Sequence, residues 1–270
     1  MPFAPVEGGQ IHYRLDGKEG LPVLVLSNSL GTNLSLWDAQ IPSFTQHFQV
    51  LRYDSYGHGE STFSAGEYKI DMLSKDVIKL IDHLGLATIH FYELSVSGLV
   101  GQWLALNAGK RLTKVVLCNT AARIGNLEGW NARIAAVDKG GISSISEAIL
   151  ERWFTGPFHE RECPTVDRFR KMLEATPPDS YIATCAAIRN ADFRSDISKI
   201  RVKTLVVTGT QDKGTPPEDG RYLAERILGS RYIELGAAHL SNVESPQQFL
   251  EAVLKFLVRY KENSMDVAEI

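Results

Sequence analysis

Short apolar segments alternate with amphipathic segments over most of this chain. Near-continuous apolar runs that end in turn residues are typical of parallel strands covered on both faces. The predicted strands are QIHYRLDG, VLVLSNS, FQVLRYD, IHFYELS, LTKVVLCNT, VKTLVVTGT and SRYIELG. Between them, MLSKDVIKLIDHLGL and SGLVGQWLALNAG have apolar residues at helical spacing and a glycine near the end. The alternation predicts an α/β fold with a mostly parallel, doubly wound sheet and right-handed crossovers.

The alternation of strands and helices is interrupted between positions 125 and 197. This stretch contains helix-like segments and no strand-like one, namely EGWNARIAAVDKGG, SISEAILERWF, TVDRFRKMLEA and DSYIATCAAIRNAD. We therefore predict a core formed by residues 1–124 and 198–262, with a helical cap inserted at 125–197. The last residues, 263–270, are polar and are expected to form a frayed tail.

Bulk composition narrows the class of protein only slightly. A chain of 270 residues can form one large domain, and 44% hydrophobic residues with a net charge of −3 give no indication of nucleic-acid binding. Cys118, Cys163 and Cys185 form no CxxC pair, which argues against a disulfide framework or a thiolate metal site. No stretch approaches the roughly 18 apolar residues of a membrane span. We expect a cytoplasmic, unprocessed protein without metal.

Residues with catalytic potential follow four of the predicted strands, where open parallel sheets bind their ligands. FYELSVSG changes from strand to helix at Ser95, which exposes a serine hydroxyl and directs the N–H of Val96 at a developing oxyanion. LSNSLG provides the N–H of Leu30 as a second oxyanion donor. LVVTGTQDKGTPP and YIELGAAHLSNVESP place Asp212 and His239 after two later strands.

The chain order Ser95, Asp212, His239 is the order found in α/β-hydrolases. In such a site His239 would accept the proton of Ser95 and return it to the leaving group, while Asp212 orients and stabilises the imidazole. Alternatives stay open at each position. Ser95 could cap a helix, Asp212 could shape a turn with Asp219 or Glu234 as the acid, and His239 could be a solvated loop residue.

These motifs resemble the α/β-hydrolase family over nearly the whole chain. More narrowly, the segments LSNSLGTNLSLWD, RYDSYGHGES, LCNTAARIG, WNARI, RWFT, NADFR and AAHLSNVE resemble the 3-oxoadipate enol-lactonases. The resemblance implies hydrolysis of the lactone ring of 3-oxoadipate enol-lactone, in the β-ketoadipate pathway of aromatic catabolism, without metal or organic cofactor. It also implies Ser95 as nucleophile, Asp212 and His239 as its partners, and Leu30 and Val96 as oxyanion donors.

Three positions depart from the family pattern. The elbow usually reads GLSMGG, whereas Glu93 and Ser97 replace two of its glycines here, and Tyr56 replaces the arginine of DTRGHG. We expect Ser97 to be tolerated because serine is small. Glu93 brings a carboxyl group into a crowded site, where burial raises its pKa or a partner must compensate its charge. It either costs stability without changing the chemistry, or acts as a new acid–base group, or leaves the site inactive.

A lactone with a carboxylate arm requires a cation beside an apolar pocket. Arg123 in NTAARIG and Arg133 in WNARI are the candidate cations, and Trp130 and Trp153 are candidate lining residues. For either arginine a structural ion pair is an equal alternative. Aromatic residues at helical spacing are also compatible with an ordinary core.

Three functions therefore stay open after the sequence is read. The first is a serine hydrolase that opens the enol-lactone. The second is an esterase or lactonase of different specificity or chemistry, which Glu93, Ser97 and Tyr56 favour. The third is a ligand-binding protein of the same fold without catalysis. The expected partner in each case is a small molecule, a lactone or ester for the enzymes, and neither nucleic acid nor a membrane.

Overall fold

The computed structural model describes residues 2–62 and 66–258. Within these ranges eight strands form one sheet in the order β1-β2-β4-β3-β5-β6-β7-β8. The pairs β1–β2 and β2–β4 are antiparallel and the other pairs are parallel. The strands are β1 (Phe3–Val6), β2 (Gly9–Asp16), β3 (Val23–Ser27), β4 (Gln49–Tyr53), β5 (Ile89–Leu94), β6 (Leu112–Cys118), β7 (Lys203–Gly209) and β8 (Arg231–Leu235).

The mostly parallel sheet of the sequence analysis is confirmed, and each predicted strand is present. The prediction missed β1, which contains Pro5 and pairs with β2 through a tight turn at Gly8, where φ is +83°. Proline is tolerated in this strand because β1 lies at the edge of the sheet. In the middle of the sheet, every residue of β3 and β5 is buried, which explains their near-continuous apolar sequences.

Helices connect the parallel strands. Short 3₁₀ segments lie at Leu34–Trp37, Gly109–Arg111, Ile142–Ser144 and Ile197–Lys199. The α-helices are α1 (Ile41–Phe44), α2 (Ile70–His83), α3 (Ser97–Asn107), α4 (Leu127–Gly140), α5 (Ser146–Trp153), α6 (Gly156–Arg161), α7 (Cys163–Glu174), α8 (Pro178–Asn190), α9 (Pro217–Arg226), α10 (Ser241–Glu244) and α11 (Pro246–Leu257).

Helices α4 to α8 all lie between β6 and β7 in the chain, and α4 packs on α8 while α5 packs on α7. The division into a core and a cap at 125–197 stays a prediction. The predicted tail 263–270, and the end of the predicted core at 259–262, lie outside the described residues. In the described ranges no helix has the length and apolar character that a membrane span needs.

Candidate active site

Ser95 lies in a strained turn between β5 and α3. Its φ of +67° is in the left-handed region, which costs a residue with a side chain about 1 kcal/mol or more. Hydrogen bonds hold this conformation: the N–H of Ser95 donates to the carbonyl of Cys118 at 2.9 Å, and its own carbonyl accepts from the Thr120 hydroxyl at 2.8 Å. A serine in such a turn presents its hydroxyl at the carboxyl end of the sheet.

Three side chains from distant parts of the sequence form a hydrogen-bonded chain at this turn. Nε2 of His239 lies 2.8 Å from Oγ of Ser95, and Nδ1 of His239 lies 2.7 Å from Oδ2 of Asp212. Of the other acids considered from the sequence, Glu234 is bonded to Arg221 at 2.5 Å. The geometry therefore brings together the three residues that the sequence analysis selected.

The Asp212 carboxylate is surrounded by further hydrogen-bond donors. It accepts from the N–H of Gly214 at 2.7 Å, from the N–H and hydroxyl of Thr215 at 3.0 and 2.7 Å, and from the amide of Asn119 at 3.0 Å. Burial by itself would raise the pKa of Asp212, but the interaction with His239 and these hydrogen-bond donors lower it below its ordinary value. The carboxylate thus stays ionised beside the imidazole.

Asn119 is a residue of this site that the sequence analysis did not select. It follows β6 directly, has a φ of +47°, and accepts hydrogen bonds from Ser241 at 2.6 Å and Cys118 at 3.0 Å. The available sequence feature was its position at a strand end, since the segment LCNT places an amide where Ser95, Asp212 and His239 also stand after strands.

The two predicted oxyanion donors come from two segments, the loop after β3 and the turn before α3. Leu30 and Val96 line the same small cavity, of about 50 Å³, as Ser95 and His239. Within the described part of the chain, neither N–H donates to a backbone or side-chain acceptor. Both donors are therefore available to an oxygen atom that enters the cavity.

A larger cavity of about 460 Å³ adjoins the small one. Both are lined by apolar and aromatic side chains together with the serine and the imidazole. The residues common to the two cavities are Ser95, Ile124, Trp130, Arg133, Ile149, Trp153 and His239. The two predicted tryptophans thus lie at the site, on α4 and α5.

Two guanidinium groups line the larger cavity, from Arg133 and Arg152. Arg133 lies over the ring of Trp130 at 4.8 Å. Burial, and then the positive charge of Arg133, lower the pKa of Arg152 from its ordinary value. Neither guanidinium has an ion-pair partner in residues 2–62 and 66–258. This pair can attract an anionic group of a ligand.

The structure separates the two arginines that the sequence analysis suggested. Arg133 lines the cavity, whereas Arg123 pairs with Asp192 at 3.7 Å and lines neither cavity beside Ser95. The ion-pair alternative therefore describes Arg123. Arg152 was missed, although it directly precedes Trp153 in the quoted segment RWFT.

Comparison with known proteins assigns this fold to a family. A family model described as the alpha/beta hydrolase fold matches residues 22–139. The chain is 40% identical to 3-oxoadipate enol-lactonase 2 of Acinetobacter baylyi over 250 residues. The aligned region covers 93% of this chain and 94% of the relative. The chain belongs to the α/β-hydrolase family.

Solved structures of similar α/β-hydrolases agree with this assignment. The enol-lactonase from Burkholderia xenovorans superimposes with a TM-score of 0.93 at 43% identity, over 95% of this chain and 99% of that one. A hydrolase from Pseudomonas aeruginosa superimposes with a TM-score of 0.92 at 45% identity, over 95% and 97% of the two chains.

The unusual glutamate of this α/β-hydrolase lies in the core and not at the catalytic cavity. Glu93 is fully buried on β5, lines neither cavity beside Ser95, and neither of its carboxyl oxygens has a hydrogen-bond partner in the described ranges. Its Cγ lies 3.2 Å from where a Cβ on Gly101 of α3 would stand. Burial raises the pKa of Glu93 well above its ordinary value. The alternative that Glu93 acts as an acid–base group therefore has no supporting contact, because the side chain is directed into the packing between β5 and α3.

The other two departures are accommodated by hydrogen bonds to backbone carbonyls of distant segments. The Tyr56 hydroxyl donates to the carbonyl of Gly8 at 3.1 Å, and its ring packs edge-on against Tyr68. The Ser97 hydroxyl donates to the carbonyl of Asn28. Both side chains are buried. Ser97 is thus accommodated with a hydrogen bond that glycine cannot make.

Proposed function

We propose that this α/β-hydrolase opens the lactone ring of 3-oxoadipate enol-lactone to give 3-oxoadipate, a step of the β-ketoadipate pathway. The observation that carries the proposal is the hydrogen-bonded chain of Ser95, His239 and Asp212 beside a cavity lined by two arginines that have no ion-pair partner within residues 2–62 and 66–258. The similarity over 93% of the chain to a protein named as this enol-lactonase supports the choice of substrate. Three free thiols fit a reducing compartment, so we place the enzyme in the cytoplasm.

The first half of the reaction transfers the acyl group to Ser95. His239 accepts the proton of the Ser95 hydroxyl as the oxygen attacks the lactone carbonyl, and Asp212 stabilises the resulting imidazolium. The N–H groups of Leu30 and Val96 donate to the oxyanion, whose charge exists only in the transition state and intermediate. When the ring C–O bond breaks, His239 protonates the departing enol oxygen, and the enol becomes the ketone of 3-oxoadipate.

The second half of the reaction releases the acid. His239 removes a proton from a water molecule, which attacks the acyl-serine carbonyl through a second oxyanion at Leu30 and Val96. The bond to Ser95 then breaks, and His239 returns the proton to the serine oxygen. The two half-reactions together consume one water molecule and restore the enzyme, with no metal or organic cofactor.

Substrate recognition in this proposal depends on charge and shape. Arg133 and Arg152 bind the carboxylate of the carboxymethyl arm, while Trp130 and Trp153 contact the lactone ring. Guanidinium groups suit this task because they donate to carboxylates with fixed, bidentate geometry. The arm thereby fixes which carbonyl lies next to Ser95.

The direct test follows the loss of ultraviolet absorbance of 3-oxoadipate enol-lactone with the purified protein and with Ser95→Ala. We expect rapid turnover by the protein and a loss of roughly 10⁵-fold or more in kcat for the variant, since removal of a catalytic serine has effects of this order. A folded protein that does not hydrolyse the lactone would refute the proposed function. Faster hydrolysis of uncharged aryl esters than of the lactone would refute the substrate but not the serine chemistry.

A further inference from the structure

One hydrogen bond joins the two segments that carry the proposed oxyanion donors. The hydroxyl of Ser97 donates to the backbone carbonyl of Asn28. Ser97 directly follows Val96, and Asn28 lies two residues before Leu30. The bond therefore connects the start of α3 to the loop after β3, close to both N–H groups.

Asn28 is itself held firmly in place. Its amide nitrogen donates to the carbonyl of Tyr53 at 2.7 Å, and its amide oxygen accepts from the indole of Trp37 at 2.8 Å. The side chain is buried, so water does not compete for these contacts. A bond to the carbonyl of Asn28 thus ties α3 to a fixed point and not to a loose loop.

The loop is also held on the other side of Leu30. The N–H of Gly31 donates to Nε2 of His58 at 3.1 Å. Burial lowers the pKa of His58, which favours the neutral ring whose Nε2 can accept this bond. Gly31 has a φ of +75°, and a Cβ there would overlap the side chain of Leu173. Leu30 is therefore positioned between two buried anchors.

We propose that Ser97 is a positioning residue that sets the distance between the N–H groups of Leu30 and Val96. The inference rests on the proposed function, because it concerns the oxyanion of that reaction. Oxyanion donors are effective when they are already placed where the charge will appear, and no reorganisation is then needed. The serine that replaces a glycine in this elbow links one donor segment to the other.

The experiment compares Ser97→Ala and Ser97→Gly with a matched control, Ser74→Ala. Ser74 is also a buried serine whose hydroxyl donates to a backbone carbonyl, that of Ile70 at 2.6 Å, but it lies on α2 and lines neither cavity beside Ser95. For each protein we would measure the melting temperature, kcat and KM for the lactone, the rate of Ser95 acylation by p-nitrophenyl acetate, and the affinity for a boronic acid that forms a tetrahedral anionic adduct.

For the two Ser97 variants we expect kcat, the acylation rate and the boronic acid affinity each to fall about tenfold, less than the 10²–10³-fold for a lost donor, because both N–H groups remain. KM should change less than twofold. Ser74→Ala should lower only the melting temperature. The glycine variant keeps the test valid should the alanine variant fold poorly, since glycine is the family's usual residue here.

Three results would overturn the inference. One is unchanged acylation in folded Ser97→Ala or Ser97→Gly. Another is an equal fall of kcat and of the acylation rate in Ser74→Ala, which would show that any loss of stability has this effect. The third is a wild-type Ser95 that reacts with neither lactone nor aryl ester. The two proposals can also be separated. If no protein hydrolyses the lactone but the Ser97 variants are acylated by the aryl ester more slowly than wild type, the proposed substrate is refuted and this inference is supported.

Discussion

Neighbouring groups determine the backbone conformation and the protonation state of individual residues in this protein. Ser95 has a positive φ because hydrogen bonds join its backbone to the carbonyl of Cys118 and the hydroxyl of Thr120. Asp212 stays ionised although it is buried, because donors and His239 surround it. Glu93 shows the opposite case: it is equally buried but has no donor, so its neutral form is favoured. The difference between the two acids lies in their neighbours.

The buried Glu93 should make stability depend on pH. Because its pKa is raised in the folded state, the unfolded chain releases a proton that the folded protein keeps. Stability is then fully present below the unfolded pKa, roughly 4.3, and falls by about 1.4 kcal/mol per pH unit as the pH rises from there toward the folded pKa. Glu93→Gln removes this ionisation and should weaken the decline.

Urea unfolding of both proteins between pH 5 and pH 8 measures the effect. Asp76 and Asp219 also have pKa values raised to about 6, so the prediction concerns the difference between variant and wild type. Glu251→Gln, at an exposed position on α11, is the control and should leave the slope unchanged. Parallel pH profiles for Glu93→Gln and wild type would contradict a neutral Glu93.

Packing between α3 and its neighbouring strands determines the shape of the serine turn. α3 contacts β5 and β6, and its glycines allow the close approach. A Cβ on Gly98 would overlap the hydroxyl of Thr120, the same group that donates to the carbonyl of Ser95. One small residue in the helix therefore preserves both the packing and the strained serine.

Gly98→Ala should disturb both. We expect a loss of about 1–3 kcal/mol in the free energy of unfolding, because overpacking a well-filled site has this cost. We also expect at least a tenfold loss of kcat, since Thr120 must move away from Ser95. Gly156→Ala is the matched control: Gly156 is the first residue of α6, and a Cβ there meets no atom within 4 Å. Equal effects of the two substitutions would contradict this account.

The protein as a whole carries a net charge of −3, yet its proposed substrate is an anion. Arg133 and Arg152 provide the local positive potential that offsets the overall repulsion. Charges exposed at a cavity are screened by salt, with a Debye length of about 10 Å at 0.1 M ionic strength. Binding of the lactone should therefore weaken as salt is added.

Arg152→Gln should raise KM for the anionic lactone by about tenfold, which corresponds to about 1.4 kcal/mol for a lost charged hydrogen bond. The salt dependence of KM should be smaller in this variant than in wild type. Initial rates between 20 mM and 500 mM salt, with a neutral aryl ester as comparison substrate, provide the measurement. Arg226→Gln on α9, whose guanidinium lies over Tyr222, is the control, and an equal rise in its KM would argue against a local effect.

The sequence by itself determined seven of the eight described strands of the sheet and the order of its catalytic candidates. Strand positions follow from local hydrophobic runs, and β1 was missed because its four residues include Pro5 and form an edge that needs little burial. Ser95, Asp212 and His239 could be selected because strand ends of a parallel sheet meet at one edge. Each strand, and the position of each candidate just after its own strand, depends on neighbours in sequence.

Tertiary structure decided what depends on distances between remote segments. It placed Arg133 and Arg152 at the cavity and Arg123 in an ion pair with Asp192. It directed Glu93 into the core, and it paired the Ser97 hydroxyl with a carbonyl 69 residues away. A side chain's burial and partners are set by which loops and helices pack around it, and that packing is a property of the folded chain rather than of any local pattern.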